Sequence, residues 1–536
     1  MHHSLFATLS AALLVTHAHA SLSMQGEKLI AYGEEVVQTV LNATTSDGGS
    51  SLAGAPTSIL LKGGTVIAFN TESESLEILR DTSVLVVEDR IAGLYGPSDS
   101  ISLPDGTEVV ECFGQIVSPG FVDTHRHGWQ TAFKTLGSNS SLPDYFIRYG
   151  AFTATQFEFT PEDVYIGTLA GNYEAINAGV TSILDHAHHT WSHETATAGL
   201  DASIDSGLRI FWAYDIHTIS NGFTIPDQLV SLKKIWDDGK WKGTATTVGM
   251  GFDEPSLHPK ETVESVFNLA KEIEASVFTV HYLGGPWGVD GLPQLLHSYG
   301  FLNGSVPIVF SHASWMSTTD IVLLRETNQF ISITPESEMH YGHDHPYSHL
   351  IQDQAALGVD THFTFSTDIV GQARLWLQKT RLTEYSKVLK KFEVAVNSPM
   401  SVNQAFLLAT RNGGRALRRD DIGVIRVGAK ADLVVFDGES PSMLGWKDPV
   451  AAVILHSHPS DVLHVLVDGQ FRKRDGKFVI GDWAAIKKRF MKSCERIQEV
   501  WGKMEFPERF EGQVRGAGVG VKGPTVDVVR GAGTGY

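Results

Sequence analysis

The sequence predicts an α/β fold: a (β/α)8 TIM-like barrel with a small β-sandwich domain built from segments before and after the barrel. Three observations predict it. Eight short apolar runs, at 116–122, 181–184, 209–214, 246–251, 277–280, 307–310, 330–333 and 362–365, are mostly separated by about one helix plus loops. Several end in His or Asp, as expected where strand C-termini face a site. Short strand-like runs broken by turn residues flank this region on both sides.

The chain has 536 residues, 42% hydrophobic and 19% charged, with a formal net charge of -19. That length can bury a large core and suggests two or three domains. The acidic balance argues against a nucleic-acid partner, because nothing basic and extended faces phosphates. Residues 1–20 read as a secretory signal: an apolar run at 5–15, then Ala18-His19-Ala20, although the n-region offers His2 and His3 in place of Lys or Arg. Secretion is therefore expected, with a cytoplasmic location the alternative. No other stretch is long and apolar enough to span a bilayer, so no membrane association is expected. Asn42, Asn139 and Asn303 open acceptor tripeptides for glycosylation. Cys112 and Cys494 are too few for a disulfide scaffold; one bridge and two buried thiols both remain open.

In chain order, residues 21–57 form a polar arm. Strands at 58–61, 65–69, 83–88, 90–95 and 108–112, punctuated by Gly63-Gly64 and Asp105-Gly106, make the first part of the sandwich, 58–115. The barrel occupies 116–420. Its first clear helix starts at Thr160-Pro161-Glu162-Asp163, a hydroxyl cap followed by Pro and acidic residues at the positive helix end. Tyr165, Leu169, Tyr173 and Ile176 give it an apolar face, and Gly179 stops it. The second part of the sandwich, 421–482, holds strands at 423–426, 432–436, 461–467 and 478–480. A helix over 483–505, capped by Asp482, shows Ile486, Phe490, Ile497 and Trp501 on one face. Residues 506–536 read as a loosely ordered Gly-rich tail.

The strand ends collect metal-type side chains. The first strand ends in His125-Arg126-His127, and residues two apart on a strand share one side, so both imidazoles can aim at one point. The second strand ends in Asp185-His186, the fifth in His281, the sixth in His312 and the eighth in Asp368. Imidazole suits zinc, iron, copper or nickel. Any one such histidine is ordinarily a hydrogen-bonded structural residue; the set together points to a metal site.

These residues carry a resemblance. The string at 119–127, Pro-Gly-Phe-Val-Asp-Thr-His-Arg-His, with His281, His312 and Ser366-Thr367-Asp368, resembles the metal-dependent amidohydrolase superfamily. The nearer likeness is to the branch of cytosine deaminases, triazine chlorohydrolases and methylthioadenosine-type deaminases. The stretches 409–417 and 423–435 resemble that family's return from barrel to sandwich, and the likeness covers about residues 58–480. It implies that His125, His127, His281 and Asp368 hold one divalent metal, zinc or iron. It implies that His312 contacts substrate or metal-bound water, or completes the ligand set, and that the protein is a homodimer or larger. Asp368 would take a proton from the attacking water and pass it to the leaving nitrogen.

One position departs from the pattern. Members of this branch usually carry a Glu three residues after the fifth-strand His, where this chain has Gly284. Glu338 or Glu336, after the seventh strand, could replace it; Asp290 and Asp185 are weaker candidates. The fourth strand ends in Phe252-Asp253-Glu254 without Lys, which disfavours the two-metal branches. Histidines cluster at 186–193 and 340–349, more as loop residues than as a second metal site. Trp129, Trp191, Trp287, Trp315, Tyr341 and Trp376 lie near strand ends, where aromatics can stack on a ring-containing substrate; Trp129 and Trp287 are the substrate-binding candidates, with Glu336. Arg374 could pair with a substrate carboxylate. The expected function is hydrolysis of a non-peptide carbon–nitrogen bond, in a cyclic amide or related small molecule, by metal-bound hydroxide. The alternatives are a deaminase or chlorohydrolase of an N-heterocycle, with Glu338 or Glu336 as proton shuttle, and a non-catalytic binding protein on the same scaffold.

Overall fold

Eight parallel strands form the barrel: Phe121–Arg126, Val180–Ala187, Arg209–Ile216, Thr247–Phe252, Phe278–Tyr282, Ile308–His312, Phe330–Ile333 and Ala355–Leu357, adjacent in that order. Most of their residues are buried, as in a parallel sheet covered on both faces. The structure, a computed structural model, describes residues 58–253, 255–288, 290–506, 524 and 526–528. The expected signal peptide, the arm, Asn42 and nearly all of the tail lie outside the described residues.

Local signals placed most elements. Thr160 caps the helix Pro161–Asn177 in a capping box with Asp163, and Gly179 follows at φ 85°. Asp482 caps the helix Trp483–Lys503 by accepting from the backbone N–H groups of Ala484 and Ala485. Ile497 and Trp501 of that helix pack with Trp129, Phe133, Tyr145, Tyr149 and Phe363 in an aromatic cluster beside the barrel mouth.

Two barrel assignments are corrected. The run 116–122 is two strands: Ile116–Pro119 pairs in a second sheet, and only Phe121–Arg126 belongs to the barrel. The eighth strand is Ala355–Leu357, not 362–365. Barrel closure explains this. Val359 and Asp360 donate their N–H groups to the His125 carbonyl at 3.0 and 2.8 Å, and the Val359 N–H also reaches Asp123 Oδ1 at 3.1 Å. The closing segment is thus held by the first strand and needs little β-propensity of its own. Gly358 permits the close approach: a Cβ there would lie 2.7 Å from Ser332 Oγ and 2.8 Å from His125.

The segments flanking the barrel form one nine-stranded sheet. Leu433–Phe436 joins the two halves by pairing antiparallel with Ile116–Pro119. Residues 423–426, expected as a strand, are irregular; Val424 and Ile425 are buried against this sheet, and Phe69 donates its N–H to the Ile425 carbonyl. Gln470–Arg474 is a strand the pattern missed. Cys112 and Cys494 are both buried and unpaired, and burial pushes the Cys112 thiol up to about 12.

Candidate active site

The barrel seam is where the polar side chains gather. His125 and His127 leave the first strand with ring centroids 4.8 Å apart. The His281 ring lies 4.8 Å from that of His125, and the His312 ring 5.1 Å from it. Asp360, just past the eighth strand, places Oδ1 3.1 Å from His127 Nε2 and 3.4 Å from His125 Nε2. Ligand atoms of His125, His281, His312 and Asp360 all fall within 4.8 Å of one another. His312 and Asp360 both have φ 68°, a left-handed backbone that bulky residues rarely adopt and that recurs at functional sites.

Each ring has its Nδ1 engaged elsewhere. His125 meets Ser311 Oγ at 2.8 Å, His127 the His186 carbonyl at 3.0 Å, and His281 Asp253 Oδ1 at 2.8 Å. His312 meets Thr334 Oγ1 at 2.9 Å and Glu338 Oε1 at 3.3 Å. Partners of this kind orient an imidazole so that its Nε2 faces a metal. The buried His125 Nε2 makes no hydrogen bond within the protein. Several imidazoles and one carboxylate, with their outer nitrogens already held, are a donor set that fits a divalent cation. His186, Asp253 and His281 form a second group with metal-ligand spacing, sharing His281 with the first.

Burial lowers His125 well below the ordinary imidazole value and His281 to about 4, so both are neutral and able to ligate. Burial alone would raise the Asp360 carboxyl, but His125 and His127 hold it well below the usual range. Asp253 is lowered against the same opposing burial by His186 and His281. His186 goes the other way: burial opposes its charge, yet Asp253 and Asp215 carry it up to about 10.

These shifts set a pH profile for stability. Burial lowers His189 and His343 to about 3 and His217 to about 4. The unfolded chain takes up those protons near 6.5 while the folded one does not, so stability falls as pH drops from 6.5 toward 3–4. Asp123, which burial pushes up to about 7, opposes this but is outnumbered. His186 contributes stability that is lost as pH rises from 6.5 toward 10. The expected Tm is highest near neutral pH and declines on both sides; calorimetric scans across pH check it, and a Tm still rising as pH falls below 6 would contradict it.

A cavity opens above this cluster. His127, His188, His217, Asp253, His281, His312, His343 and Asp360 line its polar end. The structure thus brings together His125, His127, His281 and His312 as expected, but not Asp368. That residue caps the helix Ile369–Leu389, accepting from the Val370 N–H at 3.0 Å, and does not line the cavity. Its place in the donor cluster is taken by Asp360. In the sequence Asp360 is marked only by Gly358-Val359-Asp360 after a short apolar run, whereas Ser366-Thr367-Asp368 resembles the family triplet.

Other candidates are sorted by the same geometry. Trp287 and Tyr341 line the cavity. Trp129 does not: it is fully buried and donates Nε1–H to His188 Nδ1 at 2.9 Å, so it props a wall. Trp191, also buried, donates to the Ala151 carbonyl at 2.7 Å. Glu336 is turned to Gln372, which donates to it at 3.0 Å. Arg374 donates to the carbonyls of Ile454 and Ser457 at 2.8 Å each. Neither reaches the cavity, because each faces a neighbouring helix or loop. Asp290 accepts from Gly285 N–H at 2.7 Å and Asp185 from Gly128 N–H at 3.1 Å, both holding backbone turns. Asp253 was missed as a site carboxylate, because an aspartate past a strand end looks like a solvated loop residue.

Glu338 sits behind His312 rather than in the cavity. It is buried, accepts from Thr334 N–H at 2.7 Å and lies 2.5 Å from His345 Nε2. Burial would raise its carboxyl; His345 and His312 hold it below the usual range. Glu338→Gln keeps the shape and weakens the grip on His312. The expected cost is about 10–100-fold in activity or metal affinity, the usual effect of losing such an outer partner. Steady-state rates with metal analysis check it; unchanged values would show that Thr334 alone orients His312.

Comparison with known proteins agrees with this geometry. The amidohydrolase family model matches residues 116–472, more than half of the chain. The chain is a member of the amidohydrolase family. It is 24% identical over 428 residues to a 5-methylthioadenosine/S-adenosylhomocysteine deaminase of Pelotomaculum thermopropionicum, covering 77% of this chain and 92% of that one. It is 25% identical over 441 residues to a 5'-deoxyadenosine deaminase of Methanobrevibacter smithii, covering 78% and 94%. In fold it matches an adenosine deaminase of Xanthomonas campestris with bound zinc at TM-score 0.70 and 17% identity, covering 82% and 98%. It matches atrazine chlorohydrolase of Arthrobacter aurescens at TM-score 0.69 and 16% identity, covering 81% and 100%. This amidohydrolase is therefore a hydrolase of carbon–nitrogen bonds other than peptide bonds, with a barrel site suited to a divalent metal.

Proposed function

We propose that this amidohydrolase cleaves an amide-type carbon–nitrogen bond in a ring-containing small molecule, with Asp360 moving the proton. The observation that carries this is the Asp360 carboxylate set among the imidazoles at the polar end of the cavity. His125, His127, His281 and Asp360 would hold one ion, with His312 beside it; zinc is the ion we assign, given nitrogen and oxygen donors and the zinc in the Xanthomonas neighbour. When bound, such an ion lowers the pKa of water to about 7 and polarises the bond to be cleaved. Ser337 Oγ donates to Asp360 Oδ2 at 2.5 Å, while Oδ1 faces the imidazoles. The Asp360 carboxylate would take a proton from water and return it to the leaving nitrogen. His312, held by Thr334, is placed to donate to the oxygen on which charge develops.

Deamination of an N-heterocycle is the second reading, favoured by the named activities of the relatives. It needs a second acid for the ring nitrogen. Position 284 cannot supply one: Gly284 has φ 68° and a Cβ there would lie 2.9 Å from the Trp315 carbonyl oxygen. Asp253, in the cavity and held ionised by His186 and His281, could relay a proton there only with one of those imidazoles as its source. Product analysis separates the two: a ring-opened or free acid supports the first, and stoichiometric ammonia from an aromatic amine the second.

The signal-like residues 1–20 support a further reading, that the chain is exported. Asn139 and Asn303 are exposed and available as acceptors. A mobility shift on N-glycosidase treatment of the native protein tests this.

A further inference from the structure

The charged and metal-type side chains that line the cavity gather at one end. Beyond the imidazoles its wall is made mostly by Leu142, Tyr145, Phe146 and Phe152 from the segment after the first strand, Leu283 and Trp287 after the fifth, and Tyr341 after the seventh, with Thr218 and Thr361 beside them. The Phe146 and Phe152 rings lie 6.0 Å apart, tilted by 31°, and both are half-buried, as is Trp287. They present apolar faces to whatever extends away from the reacting bond. Among the described residues no Lys or Arg lines the cavity. The two nearby candidates are committed elsewhere: Arg374 to backbone carbonyls, and the buried Arg126 to Thr367 and the Gly171 carbonyl.

We infer that the site selects an uncharged heterocycle bearing an apolar, preferably aromatic, substituent over nucleosides and over anionic substrates. The orientation of the substrate rests on the hydrolase reading above, which puts the reacting bond at the imidazole end. A substituent on the far side of the ring then lies against Phe146, Phe152 and Trp287. An aromatic substituent there buries apolar area and can stack. A ribose would bring hydroxyls that lose water against carbon, at roughly tenfold in affinity for each left unpaired. A carboxylate or phosphate would be stripped of water with no cation to meet it. Neither the carboxylates nor the hydroxyls that line the cavity are left to meet a ribose: Asp253 is held by His186 and His281, Asp360 by Ser337 and the imidazoles, Thr361 donates to Tyr341, Gln130 donates to Tyr145, and Thr218 meets His258.

The test uses zinc-loaded protein and three derivatives of one heterocycle: 9-benzyladenine, adenosine and 9-carboxymethyladenine. Equilibrium dialysis gives their affinities without requiring turnover. The expected result is that 9-benzyladenine binds at least about tenfold more tightly than the other two, and that Phe146→Gln and Trp287→Gln, checked for an unchanged melting curve, narrow the gap. Equal or tighter binding of adenosine or 9-carboxymethyladenine overturns the inference, as does no measurable binding of any of the three. If the preference holds but the loaded enzyme cleaves no carbon–nitrogen bond in a panel of cyclic amides and amino-heterocycles, the hydrolase reading fails and the cavity preference stands.

Discussion

Asp360→Asn lowers kcat by on the order of 10³-fold or more, while Asp368→Asn leaves turnover close to that of the native chain. The first substitution keeps the size of the side chain but removes the one carboxylate in the cluster of His125, His281 and His312. The amide cannot take a proton from water, and it is a poorer metal ligand than a carboxylate. Asp368 instead serves as the N-cap of a 21-residue helix. Asn caps almost as well as Asp, so only a small change in Tm is expected. Steady-state kinetics on both variants, with metal content measured alongside, decides the matter. Retained activity in Asp360→Asn, or its loss in Asp368→Asn with a normal melting curve, would restore Asp368 as the ligand that the sequence motif implies.

Stripping the protein with a strong chelator takes turnover to background, and stoichiometric zinc restores it. The same treatment lowers Tm, because an ion that binds only the folded state stabilises it by about 4 kcal/mol at a thousandfold excess over Kd. The donors, buried except for the half-buried His281, are oriented before the ion arrives: Ser311, Asp253 and Thr334 hold the outer nitrogens of His125, His281 and His312. Metal return should therefore need no refolding, and activity should recover as fast as the ion binds. Atomic absorption, activity and calorimetry on one sample follow all three quantities. Activity that survives with less than a tenth of an equivalent of metal, taken as a rough threshold, would contradict the assigned donor set.

Elements that carry their own local signal are legible in the amino-acid sequence. Thr160 with Pro161 and Asp163 announces a helix, as does Asp482 ahead of an apolar stripe. His125 and His127 are legible for a similar reason, since strand alternation puts i and i+2 on one side. His281 and His312 stand out because each ends an apolar strand long enough to recognise. The eighth strand lacks such a signal. Its three residues are Ala355, Ala356 and Leu357, with Gly358 next, and Ala and Gly are poor strand formers beside the Phe and Thr of the run at 362–365. What holds it is pairing to the seventh strand and hydrogen bonds to His125 from the other side.

The aromatic candidates show the same division. Trp129 and Trp287 look alike in the chain, each a tryptophan shortly after a site histidine. Trp129 packs among Phe159, Trp191 and Phe133 and becomes core, whereas Trp287 follows Gly284 and Gly285 into a turn at the cavity mouth. Packing decides between them, and no short window of sequence carries that information.

By itself, then, the sequence determined the fold class, four of the histidines that converge at the barrel mouth and the chemistry of the metal-type donors. These rest on short-range rules: strand alternation, capping and the affinity of imidazole for divalent ions. Only the tertiary structure decided which carboxylate joins them, that Asp253 enters the site, and that aromatic and aliphatic side chains make most of the cavity wall away from its imidazoles. Those outcomes depend on closing a ring of eight strands. The closure brings Asp360 beside His125 across a gap of 235 residues, and the residue that arrives is chosen by the register of the seam, not by any motif around it.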